Sequence, residues 1–436
     1  MIPRSCDTMV ALADSTSTGD VIFAKNSDRP VNECQPLELH PRQTHADGAV
    51  TECQFVSLPA VATTYRHIGS RPYWCWGYEH GANEHQVVIG NEGLASRLPE
   101  ASEPKLIGME IIRLALERAS SASEAVDVIT SLVSEYGQGK FANDAGVRTY
   151  DNGYIVADPR EAYVIETGGH HWGVKRVERA LGISNVYSIE TDWDSLSRGA
   201  AKHAREHGWP GARGRLNFAD AFTKDARDEG SGALRRRRAC TVLDRRLGRI
   251  DAATMMQLLA DHGDGKTPDE PFVENADFAG GICIHCNDDG TGGNTAASIV
   301  SELCADGSRL AIHWCALYSP CLALFLPMFV EGDLPASLAV GGETASDDSP
   351  WWVFHRLAAA VRGDRDASAA VREAWRPVQE ELFASAYDVA REGREMLDAG
   401  RVEDCAALLT GYMGERAEAM LGVARDLLTR AGEAAA

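Results

Sequence analysis

No stretch of this 436-residue sequence stays apolar for the roughly 18 residues that a membrane-crossing helix needs. The longest candidate, Cys315 to Val330, is broken by Ser319-Pro320 and again by Pro327. The amino terminus, Met1-Ile2-Pro3-Arg4-Ser5-Cys6, lacks the apolar centre of a secretory signal or a lipoprotein anchor. Positive charge is scarce: 43 Lys and Arg against 64 Asp and Glu leave a formal −21. A chain that acidic repels phosphate backbones and anionic headgroups, which argues against nucleic acid and membranes as partners. The one basic run, Arg235-Arg236-Arg237-Arg238, is expected to be a solvated helix face. Regular cysteine spacing is missing too. Eleven cysteines, several of them in apolar stretches (Cys283, Cys315, Cys321), suit reduced thiols in a cytoplasmic protein better than a disulfide framework. There is no fixed-period repeat and no low-complexity linker.

What remains is ordinary globular composition, with 44% hydrophobic and 25% charged residues. Cys6 to Ala13 and Val21 to Lys25 read as a β-hairpin whose turn centres near Thr18. Both faces of its first strand are apolar, Val10 and Leu12 on one and Met9, Ala11 and Ala13 on the other, so the sheet should be covered on both sides. Val87-Val88-Ile89-Gly90 repeats that pattern. A helix is expected over Lys105 to Ala119, then a second opened by the capping box Ser121-Ala122-Ser123-Glu124 and stopped at Gly137. Tyr154 to Ala157 and Ala162 to Glu166 form another strand pair, and residues 194–262 are largely helical. Strands return at Ile282 to Ile284, Thr295 to Val300 and Leu310 to Trp314. From Trp351 the chain turns alanine-rich, with Val378, Leu382, Ala386, Val389, Gly393 and Met396 on one helical stripe. This order predicts an α+β protein, two buried sheets between helical layers, with a helical tail.

Cys6 is the most informative residue. Removal of the five residues before it would leave a free α-amine beside its own thiol. With ordinary pKa values of about 7.7–8.0 for the amine and about 8.5 for the thiol, the amine can serve as base without a histidine. Ser5 is small enough not to crowd attack on the Ser5–Cys6 carbonyl. A turn centred on Thr18 would place Cys6 opposite Arg29 to Val31, with Asp28 and Arg29 beside the thiol.

The stretches CDTMVALADSTSTGDVIFAKNSDRP and SRPYWCWGYEHGANEHQVVIGNEG resemble the secernins, of the dipeptidase-type amino-terminal-nucleophile (Ntn) hydrolases. The similarity continues more weakly through YIVADPREAYVIET, LGISNVYSIE and ICIHCNDDGTGGNTAAS, about three-quarters of the chain. The resemblance implies a four-layer αββα Ntn-hydrolase sandwich with the nucleophile at the start of the first strand. It implies a leader over residues 1–5 that is removed, the hydrolase domain over 6–340, and a helical extension over 341–436 packed on it. By the same resemblance Cys6 is the nucleophile, Asp28 holds its amine, Asn91 helps form the oxyanion hole, and Asn185 is a second polar contact near the amine. Relatives carry arginine where this chain has Lys25, which leaves Lys25 holding either Asp28 or a substrate carboxylate.

Arg71 and Trp76 are candidates for lining the substrate pocket. Cys283-Ile284-His285-Cys286 is a lone CxxC without a second ligand pair, so no metal is expected there. His170-His171, or His80 with His85, could suggest a papain-type Cys–His pair, but that leaves the position of Cys6 unexplained. The expected function is hydrolysis of a C–N amide bond in a small peptide or peptide-like substrate through a Cys6 thioester, with no metal or organic cofactor. Two alternatives stay open: amide-forming acyl transfer on the same fold, and a non-hydrolytic regulatory protein with a modified amino-terminal cysteine. A homo-oligomer is compatible with the sequence.

Overall fold

The computed structural model describes residues 6–143, 146–224, 230–262, 281–287 and 289–434, so the expected leader over residues 1–5 lies outside the described residues. Two antiparallel sheets form its centre. The first has six strands in the order Ala180–Ile183, Asp7–Ala11, Val21–Pro30, Gly293–Leu303, Ile312–Leu317 and Leu326–Met328. The second has eight: Ser195–Leu196, His171–Arg176, Ala162–Gly168, Asp151–Ala157, Val88–Leu94, His80–Asn83, His67–Ser70 and Leu37–His40. They pack face to face where Asp7–Ala11 meets Val88–Leu94 and Asp151–Ala157. Every residue of Asp7–Ala11 is buried, as a strand with two apolar faces requires.

Helices Gly108–Arg118 and Ala122–Tyr136 cover the eight-stranded sheet, and Ser231–Arg246 and Ala252–Leu259 cover the six-stranded one. The result is the expected four-layer αββα sandwich. Ser121 caps its helix by accepting the Glu124 N–H at 3.2 Å, but the Glu124 carboxylate turns back to Ser120 instead of closing the box. Gly137 ends that helix at φ +66°, a conformation glycine reaches without strain.

Two expectations need correction. The hairpin ladder runs Asp7↔Asn26, Thr8↔Lys25 and Met9↔Ala24, which sets Cys6 across from Ser27 and not from Arg29 to Val31. The turn does not centre on Thr18, because a 3₁₀ turn at Ala13–Ser15 opens it. The Thr16 hydroxyl then donates to the Asp20 carbonyl at 2.8 Å and accepts the Gly19 N–H at 3.2 Å. The strand expected at Ile282 to Ile284 is also absent; residues 281–287 are irregular. There the Ile282 carbonyl takes the Asn26 side-chain amide at 3.1 Å, a partner that a strand ladder would otherwise supply.

Helices Pro350–Ala360, Arg365–Asp398 and Val402–Ala434 pack beside the far edge of the six-stranded sheet. Leu382, Ala386, Val389 and Gly393 are buried along the expected stripe. Gln379 offers Phe325 both an acceptor, at 2.9 Å, and a donor, at 3.1 Å, so a side chain satisfies the main chain next to the edge strand. Among the described residues, no helix is long and apolar enough to cross a membrane.

Candidate active site

Cys6 immediately precedes the strand Asp7–Ala11 and is 7% exposed. Its main-chain N–H donates to Asn185 Oδ1 at 2.7 Å, and its carbonyl accepts the Ser184 hydroxyl at 3.3 Å. Its sulfur accepts the main-chain N–H of Asp28 at 3.3 Å, from the neighbouring strand. Nitrogen and thiol of one residue are thus addressed separately, one by a side-chain acceptor and the other by a backbone donor. Burial pushes the thiol up to about 12, and the charge of Lys25 pulls against it.

Asn185 is held from two sides. Its amide donates to the Gly93 carbonyl at 2.8 Å, and its Oδ1 also accepts Arg235 Nη2 at 2.8 Å. Arg235 is fully buried, donates to the Ser184 hydroxyl at 2.8 Å and lies 3.3 Å from the Asp7 carboxylate. This corrects the expectation of a solvated arginine face: Arg237 is exposed, whereas Arg235 serves the site. The signal lies in the spacing, since Arg235, Ala239, Val242 and Leu243 make up the buried stripe of their helix.

The Asp28 carboxylate meets neither the Cys6 nitrogen nor Lys25 within hydrogen-bonding distance. Its Oδ1 accepts the Thr295 hydroxyl at 2.5 Å, while Oδ2 is buried with no hydrogen-bond partner among the described residues. Burial raises this carboxyl to about 7 even though Arg235 opposes the rise. Lys25, fully buried, donates to the Asn91 carbonyl at 2.6 Å and lies 3.9 Å from Glu92, so it grips the opposite sheet instead of Asp28. Gly90 makes room for it: a Cβ there would stand 2.4 Å from the lysine stem. Burial also raises Glu92 to about 8, against Lys25 and the Thr8 hydroxyl.

Asn91 donates its amide to Asn152 Oδ1 at 2.8 Å, and Asn152 in turn donates to Gln138 at 2.6 Å. Gly108, first residue of its helix, permits this pair, because a Cβ would fall 2.2 Å from Asn152 and 2.6 Å from Asn91. Asn91 therefore joins the site through Lys25.

Arg71 and Trp76 are not brought together with Cys6. Arg71 donates to the carbonyls of Tyr73 and Cys75 and lies 3.4 Å from Glu38. Trp76 lies under the guanidinium of Arg113 at 4.0 Å. Next to Asp28 in the chain, Arg29 pairs with Glu33 and with Glu79 at 2.9 Å, and the Trp74 ring lies 5.9 Å from its guanidinium. Glu79 also raises the Cys6 thiol, after burial and against Lys25. His80 is buried, and burial followed by Lys25 holds its imidazole neutral. The structure further gathers His262, Cys283, His285 and Cys321, where the sequence shows only the CxxC; Cys286 is not among them.

The family model described as peptidase family C69 matches residues 5–226, slightly more than half of the chain. Cys6, Lys25, Asp28, Asn91 and Asn185 fall within the match, and Arg235 lies beyond it. Similar solved structures include a mutant of conjugated bile acid hydrolase from Clostridium perfringens, at 13% identity and TM-score 0.41, covering 72% of this chain and 89% of that one. Penicillin V acylase from Agrobacterium tumefaciens is similar at 12% identity and TM-score 0.40, covering 74% and 86%. The Caenorhabditis elegans ortholog of N-acylethanolamine-hydrolyzing acid amidase is similar at 13% and 0.31, covering 68% and 92%.

Proposed function

The chain belongs to peptidase family C69 and is an amide-cleaving hydrolase, and on that footing we propose that Cys6, freed as the first residue by loss of residues 1–5, is its nucleophile. The substrate is a small peptide or peptide-like amide. One observation carries the reading: Asn185 accepts from the Cys6 nitrogen while the Asp28 N–H donates to the Cys6 sulfur.

A thiol pushed up to about 12 stays protonated at neutral pH, so attack needs a base within reach. The α-amine of the same residue, with an ordinary pKa of about 7.7–8.0, is that base once it is free. Asn185 Oδ1 fixes one of its hydrogens and thereby the direction of its lone pair. The thiolate is stabilised by the Asp28 N–H and by the buried charge of Lys25.

Sulfur then attacks the amide carbon, and the oxyanion that forms lies in the field of the buried Lys25 ammonium; the Asn91 amide, committed to Asn152 on the helix-facing side of its strand, does not supply it. The α-ammonium returns its proton to the departing amine, leaving a thioester on Cys6. Water, deprotonated by the same amine, releases the acid.

A dipeptide panel with detection of newly released amines tests this. Wild-type protein is expected to release amine and Cys6→Ala is not. A Cys6→Ala variant keeping more than about a tenth of the rate contradicts covalent catalysis through this residue.

A further inference from the structure

Four side chains from three parts of the chain converge outside the Cys6–Asn185–Asp28 constellation. One donor atom from each of His262, Cys283, His285 and Cys321 lies within 4.8 Å of the other three. His262 follows the helix Ala252–Leu259, Cys283 and His285 sit in the irregular segment 281–287, and Cys321 lies between the strands Ile312–Leu317 and Leu326–Met328. Three of them are buried and His285 is half-buried.

His285 Nε2 stands 3.0 Å from His262 Nε2, 3.4 Å from Cys283 Sγ and 3.3 Å from Cys321 Sγ. A ring nitrogen carries one proton or one lone pair, so hydrogen bonding cannot serve three such neighbours at once. A shared cation can. Bonds of about 2.3 Å to sulfur and about 2.0 Å to nitrogen give a tetrahedron with edges of about 3.3–3.8 Å, and the three distances fall within about 0.4 Å of the edges expected for their atom pairs. Two thiolates and two neutral imidazoles also cancel the charge of a divalent ion, which a dry site requires.

We propose that His262, Cys283, His285 and Cys321 bind one zinc-class divalent cation in a closed four-ligand structural site. Two sulfurs and two imidazoles are the donor set that selects zinc among the common divalent ions, and four protein ligands leave no position open for substrate. The site's place in the fold gives it a consequence. Ile284, between two of the ligands, donates its N–H to the Thr295 hydroxyl at 3.0 Å and accepts the Thr295 N–H at 2.9 Å. That same hydroxyl donates to Asp28 at 2.5 Å. The cation would pin the backbone that aims Thr295 at Asp28.

The test is metal analysis of the full chain, produced with added zinc under reducing conditions and passed through gel filtration. About one zinc per chain is expected in wild type and in Cys286→Ala, and under about a fifth of that in Cys321→Ala and His285→Ala. Cobalt(II) introduced into wild-type protein should show thiolate charge transfer and the strong d–d bands of a tetrahedral site. That spectrum decides the matter alone if the ligand variants fail to fold. The proposal is overturned by wild type lacking both zinc and the cobalt spectrum, by unchanged zinc in both ligand variants, or by a Cys283–Cys321 disulfide in a non-reducing peptide map. All these readouts are independent of amide hydrolysis, so they stand whether or not Cys6 is the nucleophile.

Discussion

The side-chain oxygen of Asn185 sits 2.7 Å from the main-chain nitrogen of Cys6, a contact between residues 179 positions apart. Three features make it rigid: the Asn185 amide is tied to the Gly93 carbonyl, its oxygen also accepts from Arg235, and Arg235 is buried against Asp7. Asn185→Ala removes the acceptor without touching the thiol. Turnover is expected to fall about 10²-fold while KM changes little, because the lost interaction orients the base and does not bind substrate. Steady-state kinetics on the purified variant checks this; a rise in KM at constant kcat contradicts it.

Arg235 gives a second prediction. Arg235→Ala leaves Asp7 buried beside an empty guanidinium position, and breaking such a pair costs about 3–5 kcal/mol. Arg237→Ala, on the exposed face of the same helix, should stay within about 0.5 kcal/mol. Arg235→Lys keeps the charge but not the fork that spans Asp7, Ser184 and Asn185, so it should recover part of the stability and little of the turnover. Chemical denaturation of the three variants separates these outcomes. Equal stability of Arg235→Ala and Arg237→Ala would contradict the buried role.

Asp28 makes a prediction in which the sign matters. Burial raises its folded pKa from the ordinary 3.8 to about 7. Below about pH 4 the carboxyl is protonated in both states and costs nothing. As pH rises toward 7 the unfolded chain loses its proton and the folded chain keeps it, so stability falls; above about 7 the loss is complete. Asp28→Asn lacks this penalty. In a Cys6→Ala background, which holds the nucleophile constant, the thermal midpoint of Asp28→Asn relative to its parent should climb between pH 5 and pH 8. A difference that is flat across that range sinks the claim.

The Cys6–Asp28 pairing is legible in the sequence because a hairpin is local and its strands announce themselves by two apolar faces. The exact register is not, because the Thr16 hydroxyl, a single side chain, moves the centre of the turn. Asp28 still reaches the sulfur, by its backbone and not by the carboxylate that register reasoning points to. Composition hides Arg235: four arginines in a row read as solvent-facing, and only helical periodicity sets one of them inward. Arg71 and Trp76 stand out by residue type within a distinctive stretch, yet it is Trp74, two positions from Trp76, that stands by Arg29. The gathering of His262, Cys283, His285 and Cys321 is illegible because two of its members lie 23 and 36 residues from His285, beyond any local spacing rule.

Lys25 and Gly90 provide the fourth prediction. The lysine stem occupies space that Gly90 leaves open, and its charge is the main influence lowering the Cys6 thiol. Lys25→Met should slow alkylation of Cys6 by iodoacetamide at pH 8 by about tenfold, one pKa unit's worth of lost stabilisation. Lys25→Arg should not restore it, since the larger head cannot sit against Gly90 and the Asn91 carbonyl together. Alkylation at an unchanged rate in Lys25→Met would remove Lys25 from the site.

The most direct measurement of the nucleophile is intact-mass spectrometry of enzyme quenched in acid during turnover of a peptide amide. The account predicts a chain beginning at Cys6, with a fraction heavier by the mass of the acyl group, and fragmentation placing that group on Cys6. A fully active sample whose chains begin at Met1 or Ile2, with no acyl adduct on Cys6, would contradict it.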